Sequence, residues 1–448
     1  MHHEPVYDVL GVGLGPFNLS LACLLDPLKE VRTLFIERQP EFNWHAGLLL
    51  PEATLQNPFL ADLVTLADPT SRFSYLNHCK AEGRLYRRFI REQYTLTRQE
   101  YNRYCQWAAA QLKNVRFGSE VRQIEHDAQR GQYIVVGSAG GERHFVYRAR
   151  KLVLGIGTSP HFPACCEPHH ALIHSSAYLQ HKRRLQGKRS VTVIGSGQSA
   201  AEIVHDLLRE QPQHGYALQW VTRSPRFFPM EYTKLTTELS TPDYARHFHR
   251  LNSATRQRLL REQRSITHGI NAQLINAIYD LLECQAQQGG LSTHLLPNCE
   301  LQGCRYDPVR GDYELRFQHL ELGQHYQHHT DGLVFATGYA HRVPAFVEGI
   351  RHRLRLDGQG RYEQAPNHSV DVAGNEVFVQ NAGFHALGLT SPDLGMSCLR
   401  NAALVRELTG TAHYPLEEQI ALQHFEPPPG GPLVPCQPQS LPLQEVAL

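Results

Sequence analysis

Two short glycine-rich stretches have the spacing to cradle a dinucleotide, and the residue that follows each selects a different ribose. The first is Gly11-Val12-Gly13-Leu14-Gly15-Pro16 and the second is Gly195-Ser196-Gly197-Gln198-Ser199-Ala200. Each lies between an apolar run (residues 6–10 and 190–194) and a helical pattern (17–25 and 198–208). In such a strand–turn–helix unit the first glycine makes the turn and the second admits a pyrophosphate to the backbone. The third position keeps helix and strand close, and the helix N-terminus faces the phosphate charge. Pro16 replaces the third glycine of the first stretch and suits a first helical turn, where the N–H it lacks has no partner. The next strand in the first unit (33–36) ends in Glu37, which can accept from a free ribose diol. Its counterpart in the second (218–222) ends in Arg223, which suits a 2′-phosphate. One site reads as FAD and the other as NADPH, a pairing that implies redox chemistry.

The elements that must position these loops follow from the pattern. The expected fold is α/β, with two Rossmann-like dinucleotide-binding domains and a small helical insertion that carries a substrate pocket. The FAD domain is expected to be discontinuous, residues 1–165 plus 331–425, with strands at 151–158 and 377–380 and a helix over 396–408. The NADPH domain is expected over 186–330, returning through a strand at 332–335. Its helical insertion is expected at about 225–290, with helices over 243–262 and 272–284. Residues 426–448 read as a proline-rich disordered tail.

Composition removes several function classes. The 448 residues carry a formal net charge of +1 with 19% charged residues, so no basic footprint marks nucleic acid. No apolar run reaches membrane-span length, and the start of the chain lacks a basic leader, so the expectation is a cytoplasmic enzyme with no membrane span. The 27 histidines show no metal-ligand spacing and no metal is expected. Cys299 and Cys304 have a CxxxxC spacing, but follow the second fingerprint rather than the first. They read as two unrelated reduced thiols, with a disulfide-reductase role as the alternative.

Residues 11–22 resemble the opening of the FAD-dependent N-hydroxylating monooxygenases of hydroxamate siderophore biosynthesis. So do Phe42-Asn43-Trp44-His45-Ala46-Gly47-Leu48, residues 55–64, Asp68-Pro69-Thr70-Ser71 and Ala336-Thr337-Gly338-Tyr339. The resemblance spans roughly residues 5–425. It implies that NADPH reduces FAD, that reduced flavin captures O2 as a C4a-hydroperoxide, and that oxygen passes to a neutral primary amine. It also implies that Gln56 lies near the flavin and the amine, that Trp44 and His45 line the FAD cleft, and that Ala336, Thr337 and Gly338 belong to the cofactor sites. Asn271 falls in the substrate-pocket region, although it fits a helix N-cap equally well. Residues 381–395 would close over the flavin, with a helix N-terminus near 393. Family members are commonly homo-oligomers, and a homo-oligomer is expected here.

One departure bears on the substrate. Amino-acid-hydroxylating members of the family carry a lysine for the substrate carboxylate where this chain has Phe59-Leu60-Ala61-Asp62-Leu63. A buried carboxylate without a cation is costly, so Ala61 points to a substrate that has none. The most similar local pattern is that of cadaverine hydroxylases of desferrioxamine-type pathways. The expected reaction is therefore cadaverine to N-hydroxycadaverine, with putrescine close behind. Lysine or ornithine, or a non-catalytic flavin scaffold, are the alternatives. Lys234 or Arg72 could replace the missing cation for an amino acid. Glu231, Glu238 or Asp393 could hold the far ammonium of a diamine.

Overall fold

The computed structural model describes residues 5–141, 143–166, 169, 172–289, 292–433 and 436. The first sheet has seven strands. Six run in the order Val115–Arg116, Thr33–Ile36, Val6–Val12, Arg143–Leu154, Gln132–Ala139, Ser119–Asp127, and Val377–Val379 pairs with Arg143–Leu154. Val6–Val12 runs parallel to Thr33–Ile36 and to Arg143–Leu154. The second sheet is a five-stranded parallel one: Ile173–His174, Gly332–Phe335, Ser190–Ile194, Ala217–Val221, Thr293–Leu296. Its centre is buried on both faces, which is why residues 191–194 and 332–335 read as unbroken apolar runs rather than alternating ones.

The fingerprint helices begin where the glycines stop. Pro16–Leu25 has Gly15 at its N-cap and Pro16 in its first turn, and Gln198–His214 has Gly197 at its N-cap and closes at Gly215 in the left-handed region. The strand expected at 377–380 is Val377–Val379, and the helix expected over 396–408 is Ser397–Thr409.

Two expectations change. The stretch 243–262 is not one helix but two, Pro242–Arg250 and Ser253–Glu262. Leu251 takes an extended conformation between them, and Asn252 Oδ1 accepts from Thr255 N at 2.9 Å, capping the second. Ala272–Gln287 packs on Gln198–His214 and leads into Thr293–Leu296, so it is the crossover helix of the second sheet rather than part of a separate insert. Pro242–Arg250 instead packs on Phe384–Leu387 and residues 388–390. A further antiparallel meander, Cys299–Asp307, Asp312–His319 and His325–Thr330, stands beside the second sheet. The first residue of the expected tail is held: Glu426 pairs with His247 at 2.9 Å and with Arg250 at 3.1 Å, and just before it Ile420 N and Ala421 N donate to Asp243 at 2.9 Å. Of the expected tail, residues 434–435 and 437–448 lie outside the described residues.

Candidate functional site

The first glycine loop opens a cleft of about 880 Å³, walled by Gly13, Gly15, Pro16, Glu37, Trp44 and His45. Gly13 is obligatory: its φ is +83°, and a Cβ there would stand 2.6 Å from Gly155 O. A Cβ on Gly15 would meet nothing within 4 Å, so the space before the helix N-terminus is open to a pyrophosphate. Gly11 does not line the cleft; its missing Cβ lets Phe35 approach, since an added one would stand 2.2 Å from that ring. Glu37 grips the loop, accepting from Leu14 N and Gln39 N at 2.8 Å each. Across the cleft, Trp44 stacks edge-on against His45 with ring centroids 4.2 Å apart. His45 takes a positive φ of 56°, and burial with the nearby Arg98 charge lowers its pKa to about 3, so the imidazole is neutral. Pro392 and Leu394, from the segment expected to close over the flavin, also line the cleft. The residues present fit FAD.

At the second loop, Gly195 has a φ of 137°, and a Cβ on it would stand 2.2 Å from Ala336 O. Ala336 therefore braces the second fingerprint, with its N–H on Ile194 O at 2.8 Å. Thr337 donates through Oγ1 to His161 O, and Gly338 O lies 2.9 Å from His174 Nε2. None of these three lines the flavin cleft, whereas the next residue, Tyr339, does. Ser199 is part-exposed at the helix start, but Ala200 is fully buried and serves helix–strand packing rather than ligand contact. Arg223 is 66% exposed just past the end of Ala217–Val221 and pairs with Glu300 at 3.6 Å.

Between the loops, residues distant in sequence converge. Gln56 does not line the flavin cleft; it projects from Thr54–Pro58 toward Asn271, whose Nδ2 donates to Gln56 Oε1 at 3.4 Å. Gln56 Nε2 is buried and has no partner among the described residues, a donor left for something not of the chain. Asn271 is also the N-cap of Ala272–Gln287, accepting from Leu274 N at 3.2 Å, so its capping and pocket readings hold together. Its backbone N–H donates to Gln198 Oε1 at 2.8 Å. Sequence reasoning missed the buried Arg98–Glu202 ion pair behind Gln198, because neither residue belongs to a motif.

Ala61 is buried, and across from it lies Gly395. A Cβ on Gly395 would stand 2.9 Å from Asn57 Nδ2, 3.1 Å from Asp393 Oδ1 and 3.8 Å from Ala61 Cβ, so amide, carboxylate and methyl pack around that glycine. Asp393 Oδ1 accepts from Asn57 Nδ2 and from Gly395 N, both at 2.7 Å. The other charges considered are occupied elsewhere or lie outside. Arg72 pairs with Asp26 at 3.0 Å, Glu238 accepts from Leu422 N and Gln423 N, Glu231 holds the Thr236 and Ser265 hydroxyls, and Lys234 is exposed. Cys304 neighbours Cys166 across a β-bridge rather than Cys299, and all three are free thiols off the flavin cleft, which removes the disulfide-reductase reading.

Two dinucleotide folds meeting at an amide-lined junction define a flavoprotein that takes electrons from a nicotinamide. The chain belongs to the L-lysine 6-monooxygenase/L-ornithine 5-monooxygenase family, whose model matches residues 5–341. It is similar to the alcaligin biosynthesis enzyme of Bordetella pertussis, 52% identical over 434 residues covering 96% of this chain and 94% of that one. It is 46% identical to the putrescine N-hydroxylase of Shewanella oneidensis, covering 94% of this chain and 84% of that one. The FAD-bound cadaverine monooxygenase of the Erwinia amylovora desferrioxamine pathway superposes with a TM-score of 0.91 at 46% identity, covering 97% of this chain and all of that one. The protein is thus an FAD- and NADPH-dependent N-hydroxylating monooxygenase of siderophore biosynthesis. Among the described residues no helix is long and apolar enough to cross a membrane, and no cluster of His, Cys, Asp and Glu could hold a metal.

Proposed function

We propose that the amine hydroxylated is a diamine, cadaverine ahead of putrescine. The observation that carries this reading is the exchange of charge beside Gly395. The family's carboxylate-binding lysine is replaced by the Ala61 methyl, and the Asp393 carboxylate packs against the same glycine. An amino acid would bring its carboxylate against Asp393 without the family's lysine, and the buried Arg400 that interacts with Asp393 is already held by Thr390 O and Ser391 O, whereas a diamine brings an ammonium. Cadaverine is put first by the local pattern around Ala61; overall identity to the Erwinia cadaverine enzyme and to the Shewanella putrescine enzyme is equal, at 46% each.

FAD, when bound, supplies the chemistry that activates O2. The chain positions the reactants around it. Glu37 holds the adenosine ribose and the open space at Gly15 takes the pyrophosphate. Arg223 meets the 2′-phosphate of NADPH, near the Gly195–Gly197 loop. Gln56 and Asn271 orient the reacting amine through their amides, with Gln56 Nε2 as the uncommitted donor. His45 stays neutral and so adds no charge to the cleft. The test is hydroxylamine formed per NADPH oxidised with cadaverine, putrescine, lysine and ornithine. The diamines should give the higher kcat/KM, and equal turnover of lysine would remove the Ala61–Asp393 argument.

A further inference from the structure

We propose that the buried Arg98–Glu202 ion pair is a positioning device that registers the NADPH loop against the amides that hold the amine. Arg98 Nη2 donates to Glu202 Oε1 at 2.8 Å, and Nη1 reaches Oε2 at 2.5 Å, a bidentate pair with side chains 11% and 4% exposed. Arg98 is rigidly tied to the Gln56 strand. It follows Thr95–Thr97, which pairs with Thr54–Pro58, and its own N–H donates to Ala53 O at 2.8 Å. Glu202 stands one helical turn after Gln198, and its Oε1 also accepts from Gln198 Nε2 at 2.8 Å. Gln198 Oε1 in turn takes Asn271 N, and Asn271 Nδ2 takes Gln56 Oε1. The result is a closed ring. It leaves the Gln56 strand through Arg98, passes through the first residue of the NADPH helix and returns to Gln56. A shift of the NADPH loop is therefore transmitted to the amine-facing amides, and the reverse.

The ring makes the pair responsible for coupling, the fraction of NADPH that ends as hydroxylamine rather than hydrogen peroxide. The reference is the wild-type holoenzyme with whichever of cadaverine, putrescine, lysine or ornithine it hydroxylates best, so the outcome is independent of the diamine assignment. Glu202→Gln and Arg98→Met should each lower coupling about tenfold, as small misplacements at reacting groups do, and should also lower Tm because a buried charge loses its partner. The double variant Arg98→Met/Glu202→Met separates the two effects. Paired apolar replacement restores stability, yet leaves Gln198 Nε2 without its anchor, so Tm should recover while coupling stays low. Recovery of coupling along with Tm, or single variants that couple like wild type, would overturn the proposal.

Discussion

Asp393 Oδ1 accepts a 2.7 Å hydrogen bond from Asn57 Nδ2, which fixes the carboxylate at the edge of the space where the Ala61 side chain ends. The residues are far apart in the chain, one on the Thr54–Pro58 strand and the other in the segment before Ser397–Thr409, and both belong to the discontinuous FAD unit. On the proposed diamine reading, their meeting places a carboxylate where the family's lysine is missing.

Removing that charge should cost binding more than chemistry. Asp393→Asn keeps the size and an acceptor for Asn57 but removes the negative charge. Steady-state kinetics should show KM for the diamine rising roughly 10- to 100-fold, the span of a charged hydrogen bond of about 1.5–3 kcal/mol, with kcat changing far less. Ala61→Lys should act in the same direction by offering Asp393 an internal partner.

The two roles of Asn271 can be split. Asn271→Asp retains the N-cap oxygen for Leu274 N but loses the Nδ2 donor to Gln56. Its Tm should stay near wild type while coupling falls. Asn271→Ala should lose both, with a further stability cost of about 1 kcal/mol for the cap, read from denaturant unfolding.

Nucleotide choice rests on Arg223. Because the side chain is largely exposed, Arg223→Ala should fold normally and reduce the NADPH over NADH preference at least about tenfold, as for loss of one charge-assisted phosphate contact. An unchanged preference would reassign the 2′-phosphate site.

Acid should weaken the fold through its buried imidazoles. The pKa values of His45 and His368 are held at about 3, in both cases by burial first and by a nearby arginine second. Between the ordinary histidine pKa and that value the unfolded chain binds more protons than the folded one, so stability rises with pH across this window. It is fully regained above about pH 6.5. Between pH 7 and 5 each group should remove up to about 2 kcal/mol. His45→Asn, which tolerates the left-handed backbone, should flatten the dependence of Tm on pH.

Both glycine loops were legible because each is written locally, as an apolar run, glycines at fixed offsets and a helix, and the positions of Glu37 and Arg223 follow from the next strand end. The break at Leu251 was not, since the flanking sequence is charged and helical on both sides and only the Asn252 cap marks the new start. The Arg98–Glu202 pair and the approach of Asp393 to Ala61 were invisible for a different reason. They arise only when segments far apart in the chain pack, and no periodicity in either segment encodes its partner. Asp393 could be named as one of three acids, all of which already accept hydrogen bonds; what singles it out is its place beside Gly395 and Ala61.

The most direct test of the account is the product of aerobic turnover with NADPH and an equimolar mixture of cadaverine and lysine. The charge arrangement at Ala61 and Asp393 predicts N-hydroxycadaverine as the dominant product. Comparable or greater yield of N-hydroxylysine would contradict it.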